Sequence, residues 1–287
     1  MIKDKIFTFS FRLKIIICAI SIMGSILTIA TSKSFAWTIT ADFEGGALDQ
    51  KAQPNPSGFT NAFTQTLYSN EQAKTGTQSA KITWTAGLDG WGRSGGTFEF
   101  ANEGLTEVFE GDEIWARAYF YFPSNFSFSA NPHLKVFRVL NIRTPTNTNI
   151  GWHDIYATPN RELKYISEVQ PTANSGPLGV FLNYDQWQAL EMYIKLSATP
   201  GQGIVRIWKD GVLIFQNTTK ETMSASSNKG TQTFLFTYWN TAAPQNQFNY
   251  VDNIEISTQQ PSNRDAQGNY MIGPTGGAKP SPPTNLQ

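Results

Sequence analysis

Four predicted strands carry a row of aromatic and charged side chains opposite their apolar row, a combination suited to binding sugars. Sugar rings stack their C–H faces on aromatic rings, and sugar hydroxyl groups hydrogen-bond to polar and charged side chains. If these strands share one sheet, the rows form a substrate-binding surface that comprises Arg117, Tyr119, Tyr121, Glu191, Lys195, Arg206, Trp208 and Trp239. Two alternatives stay open: the rows pack under loops, or both faces of the sheet are buried between layers.

Two histidines and several tyrosines are the side chains that could transfer a proton to or from a bound sugar. His133 begins the basic segment His133–Arg138, and His153 lies in the segment Gly151–Tyr156. The candidate proton donors are tyrosines in or near predicted strands, namely Tyr119, Tyr121, Tyr156, Tyr165 and Tyr193. For each histidine, a hydrogen-bonded structural role is the alternative.

The elements that position these residues are strands, because apolar residues recur at every second position in seven segments. The predicted shared core comprises Ile114, Phe120, Met192, Ile194, Ile207 and Phe236. Turn sequences separate the segments, and Asp210-Gly211 between two apolar runs predicts a hairpin. The sequence therefore predicts an all-β protein with little helix, a single antiparallel β-sandwich over residues 37–258.

Segments along most of this range resemble known secreted carbohydrate-active proteins. Asp42–Gly46, Ser69–Ile82 and Tyr250–Ile256 are similar to parts of bacterial jelly-roll carbohydrate-binding modules. The middle of the chain resembles polysaccharide lyases of the concanavalin A-like jelly-roll group, in the segments Trp115–Pro123, His133–Arg138, Gln186–Glu191 and Ile207–Gly211. The resemblance implies a jelly-roll sandwich that acts on polysaccharide.

A polysaccharide lyase cleaves a uronic-acid polymer by β-elimination, which requires a group that neutralises the sugar carboxylate and a base. The resemblance places Lys135 and Arg138 in the cleft, and His133, His153 and Tyr193 complete the candidate catalytic residues because their side chains can transfer a proton. Strict alternation would place Lys135 and Arg138 on opposite faces of their strand. Either a β-bulge brings them to one face, or one of the two is structural.

Other activities on the same fold are also considered. The Glu-x-Asp-x-x-Glu strand typical of retaining hydrolases is absent, which disfavours hydrolysis. The Arg-Thr-Glu-x-Arg and Gln-Ile-His strands of alginate lyases are absent too, so no single characterised family is assigned. The alternatives to a lyase are a non-catalytic carbohydrate-binding module and a structural or adhesive surface sandwich.

A structural calcium site is implied by the likeness to jelly-roll modules, in which the first and last strands lie together. Asp42, Glu44 and Asp252 supply hard oxygen ligands at the matching places. The alternative is that these acids cap turns. No organic cofactor is expected.

Composition limits the class of partner. The 287 residues include 22 basic and 22 acidic side chains, which excludes a basic nucleic-acid-binding protein. The only cysteine, Cys18, lies in an apolar N-terminal run, so redox chemistry and thiolate zinc sites are excluded from the remainder. We expect a monomer whose partner is a polysaccharide.

The two ends of the chain differ from the middle. Residues 1–36 combine a basic start, an apolar run and Ser34-Phe35-Ala36, a pattern typical of a cleaved export signal. The protein is therefore expected to be secreted, with a net charge of −4 after cleavage, and to meet a membrane only if this segment stays uncleaved as an anchor. Residues 259–287 are rich in proline and glycine and predict a flexible tail.

Overall fold

The computed structural model describes residues 36–129, 133–235 and 242–274, and these residues form strands joined by loops. Two short 3-10 helices, Phe100–Glu103 and Pro171–Ala173, are the helical elements of the described residues. The strands are β1 Thr38–Ala41, β2 Asn61–Ala62, β3 Thr66–Ser69, β4 Ser79–Trp84, β5 Gly96–Glu99, β6 Glu113–Tyr121, β7 Leu134–Arg143, β8 Asn149–Ala157, β9 Leu163–Ser167, β10 Trp187–Lys195, β11 Ile204–Lys209, β12 Val212–Asn217, β13 Lys229–Gly230, β14 Gln232–Leu235, β15 Gln247–Ser257, β16 Asn263–Arg264 and β17 Tyr270–Met271.

Most strands belong to two antiparallel sheets. The first sheet has the order β12-β11-β10-β6-β15-β4-β3, with β1 also paired to β15. The second has the order β2-β5-β14-β7-β8-β9, with β13 also paired to β7. This arrangement confirms the predicted all-β sandwich.

The core lies between the two sheets and contains the predicted apolar rows. Ile114, Phe120, Met192, Ile194 and Ile207 are fully buried, as the alternation predicted. Burial of a large apolar side chain contributes about 1.5–3 kcal/mol, so these rows are a main source of stability. Phe236, the sixth predicted core residue, lies outside the described residues.

Strand β7 is irregular, and this irregularity decides which of its side chains share a face. Its register against β8 shifts three times, between Lys135 and Phe137, between Arg138 and Leu140, and between Ile142 and Arg143. Each bulge inserts an extra residue and changes the parity of those that follow. Lys135 therefore pairs with Tyr156 and Arg138 with Asp154, on the same outer face. The structure therefore supports the first alternative, in which a β-bulge brings Lys135 and Arg138 to one face.

The chain beyond β15 packs on the first sheet. Residues 259–274, here called the C-terminal strap, contain the β16–β17 hairpin and the buried side chains Met271 and Ile272. The prediction of a flexible tail from residue 259 is wrong for this segment, because its apolar and backbone groups find partners on the sheet.

The remaining predictions for the chain ends concern other residues. Residues 275–287, and the predicted export signal apart from Ala36, lie outside the described residues. Within the described part of the chain, no helix is long and apolar enough to span a membrane.

Candidate functional site

The aromatic and charged rows do share one face, the outer face of the first sheet. Arg117 lies opposite Glu191, which in turn lies opposite Trp208. In the next row, Tyr193 lies between Trp115 and Arg206. The parity argument from the sequence is confirmed for these strands.

The part of this face around Glu191 is covered by the C-terminal strap and is closed to a polymer. The carboxylate of Glu191 accepts the backbone N–H groups of Ile272 at 2.6 Å and Gly273 at 2.9 Å. Arg117 Nη1 donates to the carbonyl of Gly273, and Trp208 Nε1 donates to Asp265. Burial raises the pKa of Glu191 to about 7. The alternative that the rows pack under a loop is therefore the one that the structure supports.

The other members of the predicted surface are divided between buried and edge positions. Tyr119 is buried beside Lys74 and Arg117, and Tyr121 packs against Trp187. Lys195 ends β10, and Arg206 hydrogen-bonds to Gln216 on β12. Trp239 lies outside the described residues.

The predicted catalytic residue Tyr193 belongs to the strap interface. It packs against Trp115, and burial raises its pKa, with a further contribution from Glu113. The expectation that Tyr193 shares a groove with Lys135 or Arg138 is wrong, because those residues lie on the second sheet.

The outer face of the second sheet gathers the remaining candidate groups around Glu168. Its carboxylate lies 2.6 Å from Arg138 Nη2 and 3.4 Å from Lys135 Nζ, and it accepts the Tyr156 hydroxyl at 3.3 Å. The ring of His133 lies 5.9 Å from that of Tyr156. We call these five residues, His133, Lys135, Arg138, Tyr156 and Glu168, the acid–base cluster.

Within this cluster, Arg138 is held in place by a buried ion pair with Asp154. Its Nε donates to Asp154 Oδ1 at 2.9 Å, and its guanidinium lies 4.4 Å from the ring centroid of Trp152. Asp154 is fully buried, and burial raises its pKa to about 7 despite the opposing effect of Arg138. Arg138 is thus fixed by an acid below it and an acid beside it.

An open cleft of about 550 Å³ continues from the acid–base cluster along the sheet. It is lined by Asp89, Trp91, Arg138, Arg143, Asn149, Trp152, Glu168 and Gln232. Trp91 is 55% exposed and stacks on Phe234 with a centroid distance of 5.9 Å and an interplanar angle of 7°. The cleft therefore combines exposed aromatic surface with charged and amide groups, as carbohydrate sites require.

The two histidines occupy opposite sides of the second sheet. His153 is fully buried in the core, with Nε2 2.9 Å from the carbonyl of Thr222 and Nδ1 2.7 Å from the Tyr165 hydroxyl. A carbonyl can only accept, so Nε2 carries the proton and Nδ1 accepts from Tyr165. Burial lowers the pKa of His153 to about 4. The prediction of a catalytic His153 is wrong, since its imidazole cannot reach a polymer.

His133 has the opposite character. The residue is partly exposed, but its Nδ1 atom is buried and has no hydrogen-bond partner among the described residues. Burial lowers its pKa, and the charge of Lys164 lowers it further. A lowered pKa favours the neutral imidazole, which is the form that can accept a proton.

The acids proposed as calcium ligands lie close together, because β1 pairs with β15 as the resemblance implied. Glu44 accepts the N–H groups of Thr77 and Gln78, while Asp252 accepts those of Lys74 and Thr75. Within the described residues, no three His, Cys, Asp or Glu side chains are grouped to hold a metal. As arranged, the acids fasten a loop, and a cation would displace these donors. Calcium binding stays a prediction.

Several cleft residues were not singled out as site residues from the sequence. Trp152 is the neighbour of His153 on β8, so alternation predicts that its side chain lies on the outer face once the strand is recognised. Trp91 lies in a loop between Gly90 and Gly92, both with positive φ, where alternation gives no signal. Glu168 follows β9 and reaches the cluster only because of sheet pairing.

Solved structures share this architecture. An alginate lyase from Aplysia kurodai has a TM-score of 0.54 at 11% identity, with coverage of 67% of this chain and 86% of that chain. A glucuronan lyase from the fungus Trichoderma reesei has a TM-score of 0.53 at 14% identity, covering 79% and 96%. The alginate lyase Aly36B, as a variant in complex with alginate trisaccharide, has a TM-score of 0.53 at 16% identity, covering 76% and 97%.

These comparisons show the fold of the chain, which is the jelly-roll sandwich of these polysaccharide lyases. No protein-family model and no curated protein sequence matches the chain.

Proposed function

We propose that the protein is a secreted lyase that cleaves a uronic-acid-containing polysaccharide by β-elimination in the cleft on the second sheet. The observation that carries the proposal is the acid–base cluster. The bulge of β7 between Lys135 and Phe137 brings Lys135 and Arg138 to the face that carries Tyr156, with His133 beside them. A base, a proton donor and two cations thus lie together, and two members of the cluster, Arg138 and Glu168, line the aromatic cleft. The likeness of the fold to uronic-acid lyases supports the same reading.

The elimination needs three contributions from the protein. Lys135 or Arg138 neutralises the sugar carboxylate, which makes the C5 proton more acidic. His133 in its neutral form takes that proton. The C–H electron pair then forms the C4–C5 double bond, the C4–O bond breaks, and the departing oxygen takes the proton of the Tyr156 hydroxyl.

Glu168 controls access to the two cations. Lys135 and Arg138 are nearly buried, at 4% and 3% exposure, while the Glu168 side chain is 31% exposed and covers them from the solvent side. A sugar carboxylate would replace the Glu168 carboxylate on these cations after rotation of one partly exposed side chain. The substrate group and Glu168 have the same charge and the same hydrogen-bonding geometry.

A non-catalytic carbohydrate-binding module is the second candidate. The stacked pair Trp91–Phe234 favours it, because stacking on an exposed ring gives affinity without any proton transfer. The two candidates share the cleft and differ in whether the acid–base cluster performs chemistry.

The test is incubation of the protein lacking residues 1–36 with alginate, glucuronan, pectate and unsulfated chondroitin, followed by ultraviolet absorbance of the unsaturated product. We expect product from at least one polymer, and loss of that product in His133→Ala and Tyr156→Phe. Tyr119→Phe, which removes a buried hydroxyl on the other sheet, is the matched control. Binding of a polymer without product from any of the four would contradict the lyase function and favour the carbohydrate-binding module.

A further inference from the structure

The cleft that begins at the acid–base cluster continues past Arg143 into a second cavity. This cavity has a volume of about 260 Å³ and is lined by Glu99, Ala101, Asn102, Glu107, Arg143, Asn147, Thr231 and Gln232. Arg143 and Gln232 line both cavities. The two spaces therefore form one path along the outer face of the second sheet.

Arg143 stands at the junction and differs from the cations of the cluster. Its Nε donates to Asn141 Oδ1 at 2.6 Å, and its Nη1 donates to the carbonyl of Asn147 at 3.2 Å. No described carboxylate forms an ion pair with it, whereas Arg138 has two such partners. A guanidinium held by neutral acceptors keeps its full charge for a ligand carboxylate.

The surfaces on both sides of Arg143 carry acidic side chains and are therefore unsuited to binding further sugar carboxylates. On one side, Asp89 lies beside Trp91 in the first cavity. On the other side, Glu99 hydrogen-bonds to Thr97 and Asn102 without a cationic partner among the described residues. A uronate at either place would meet a like charge, while a neutral sugar would find a ring to stack on or amide groups to hydrogen-bond.

Position along the strand sets the spacing of the cationic sites. Arg138 and Arg143 lie five residues apart on β7, and the usual rise of a strand gives an upper limit on the order of 15 Å for their backbone separation, because the register shifts twice between them. A second carboxylate bound at Arg143 therefore belongs to a different sugar from the one at Arg138, and Asp89 in the same cavity disfavours a further carboxylate nearby.

We infer that the cleft selects a mixed polysaccharide in which uronic acids are separated by neutral sugars, with Arg143 as the residue that binds the second carboxylate. The inference rests on the proposed function and narrows its substrate. It disfavours alginate and glucuronan, in which every sugar carries a carboxylate.

The test compares affinity for two homopolymers, alginate and glucuronan, with affinity for unsulfated chondroitin, which alternates uronic acid and a neutral amino sugar. We expect tighter binding of chondroitin by the unaltered protein. Arg143→Gln should weaken that binding about tenfold, as expected for loss of a hydrogen bond to a charged group. Arg206→Gln, on the opposite sheet, is the matched control.

Glu99→Gln provides a test with the opposite sign. Removing this charge should raise affinity for the homopolymers about two- to fivefold, the size of one solvent-screened charge contact. Glu71→Gln, on the other sheet, removes an equal charge away from the cleft and should not change this affinity. Homopolymers bound as tightly as chondroitin, with no effect of Glu99→Gln, would overturn the inference and leave the proposed function intact. Absence of binding to all three polymers would overturn both.

Discussion

The carboxylate of Glu168 lies 2.6 Å from Arg138 Nη2, while that of Asp154 lies 2.9 Å from Nε of the same guanidinium. Arg138 is thereby held between a fully buried acid and a partly exposed one. The buried partner fixes the guanidinium, and the exposed partner occupies the position from which a sugar carboxylate would approach.

Replacement of Glu168 should strengthen binding of anionic polymers. In Glu168→Gln the side chain keeps its size but no longer competes as a carboxylate for Lys135 and Arg138. We expect affinity for a uronic-acid polymer to rise about two- to fivefold, within the range of a partly exposed ion pair. Calorimetric titration measures this, with Glu162→Gln as a charge-matched control. Weaker binding, with an unchanged melting temperature, would show that Glu168 contacts the polymer as a ligand instead.

The buried His153 should remain neutral to unusually low pH. Its pKa of about 4 in the folded protein lies below the ordinary value of 6.5, so the unfolded chain binds the proton more readily. Its contribution to stability, about 3 kcal/mol, is complete above pH 6.5 and is lost as the pH falls toward 4. NMR of the imidazole nitrogens measures the titration, and His133→Gln assigns the two signals. A midpoint near 6.5 for His153 would contradict the buried geometry.

The C-terminal strap should depend on Glu191. Glu191→Ala removes the acceptor of two backbone N–H groups, of Ile272 and Gly273, and should cost about 1–3 kcal/mol in the free energy of unfolding. Glu191→Gln keeps one acceptor oxygen and should cost less. Urea denaturation gives these values, and limited proteolysis shows whether the strap detaches. Equal stability of the unaltered protein and Glu191→Ala would mean that the strap is held by its apolar contacts alone.

Much of the fold follows from local pattern. Ile114 and Phe120 on β6, and Met192 and Ile194 on β10, alternate without interruption, and each is buried where parity places it. The same parity correctly places Arg117, Glu191 and Trp208 on one face. Period-two alternation reports which side chains share a face, and it does so wherever a strand is regular.

What covers a face is not a local property. The strap that closes over Trp208 comes from residues more than fifty positions later, in a segment whose proline and glycine content is typical of linkers. Likewise, the bulge that brings Lys135 and Arg138 to one face depends on pairing with β8, and the alternation of the sequence does not reveal it. Most of the predicted binding residues therefore lie on the sheet opposite the cleft of the proposed site, while Lys135 and Arg138 of β7 lie on the same sheet as that cleft.

The calcium prediction can be tested on the intact fold. If Asp42, Glu44 and Asp252 bind calcium, a chelator should lower the melting temperature and added calcium should restore it, because a ligand that binds only the folded state stabilises it. Magnesium at the same concentration is the control. An unchanged melting temperature would contradict calcium binding and leave these acids as acceptors for the loop at residues 74–78.

The measurement that most directly tests the location of the sugar site is the affinity of Trp91→Ala for a polysaccharide that the unaltered protein binds. Trp91 is an exposed ring in the cleft of the second sheet, so its removal should weaken binding by about 1–3 kcal/mol, the magnitude of aromatic stacking on nucleic-acid bases. Tyr270→Ala, which removes a partly exposed ring from the strap on the opposite sheet, should leave affinity unchanged. The reverse result, in which Tyr270→Ala weakens binding and Trp91→Ala does not, would contradict the assignment of the site to the second sheet.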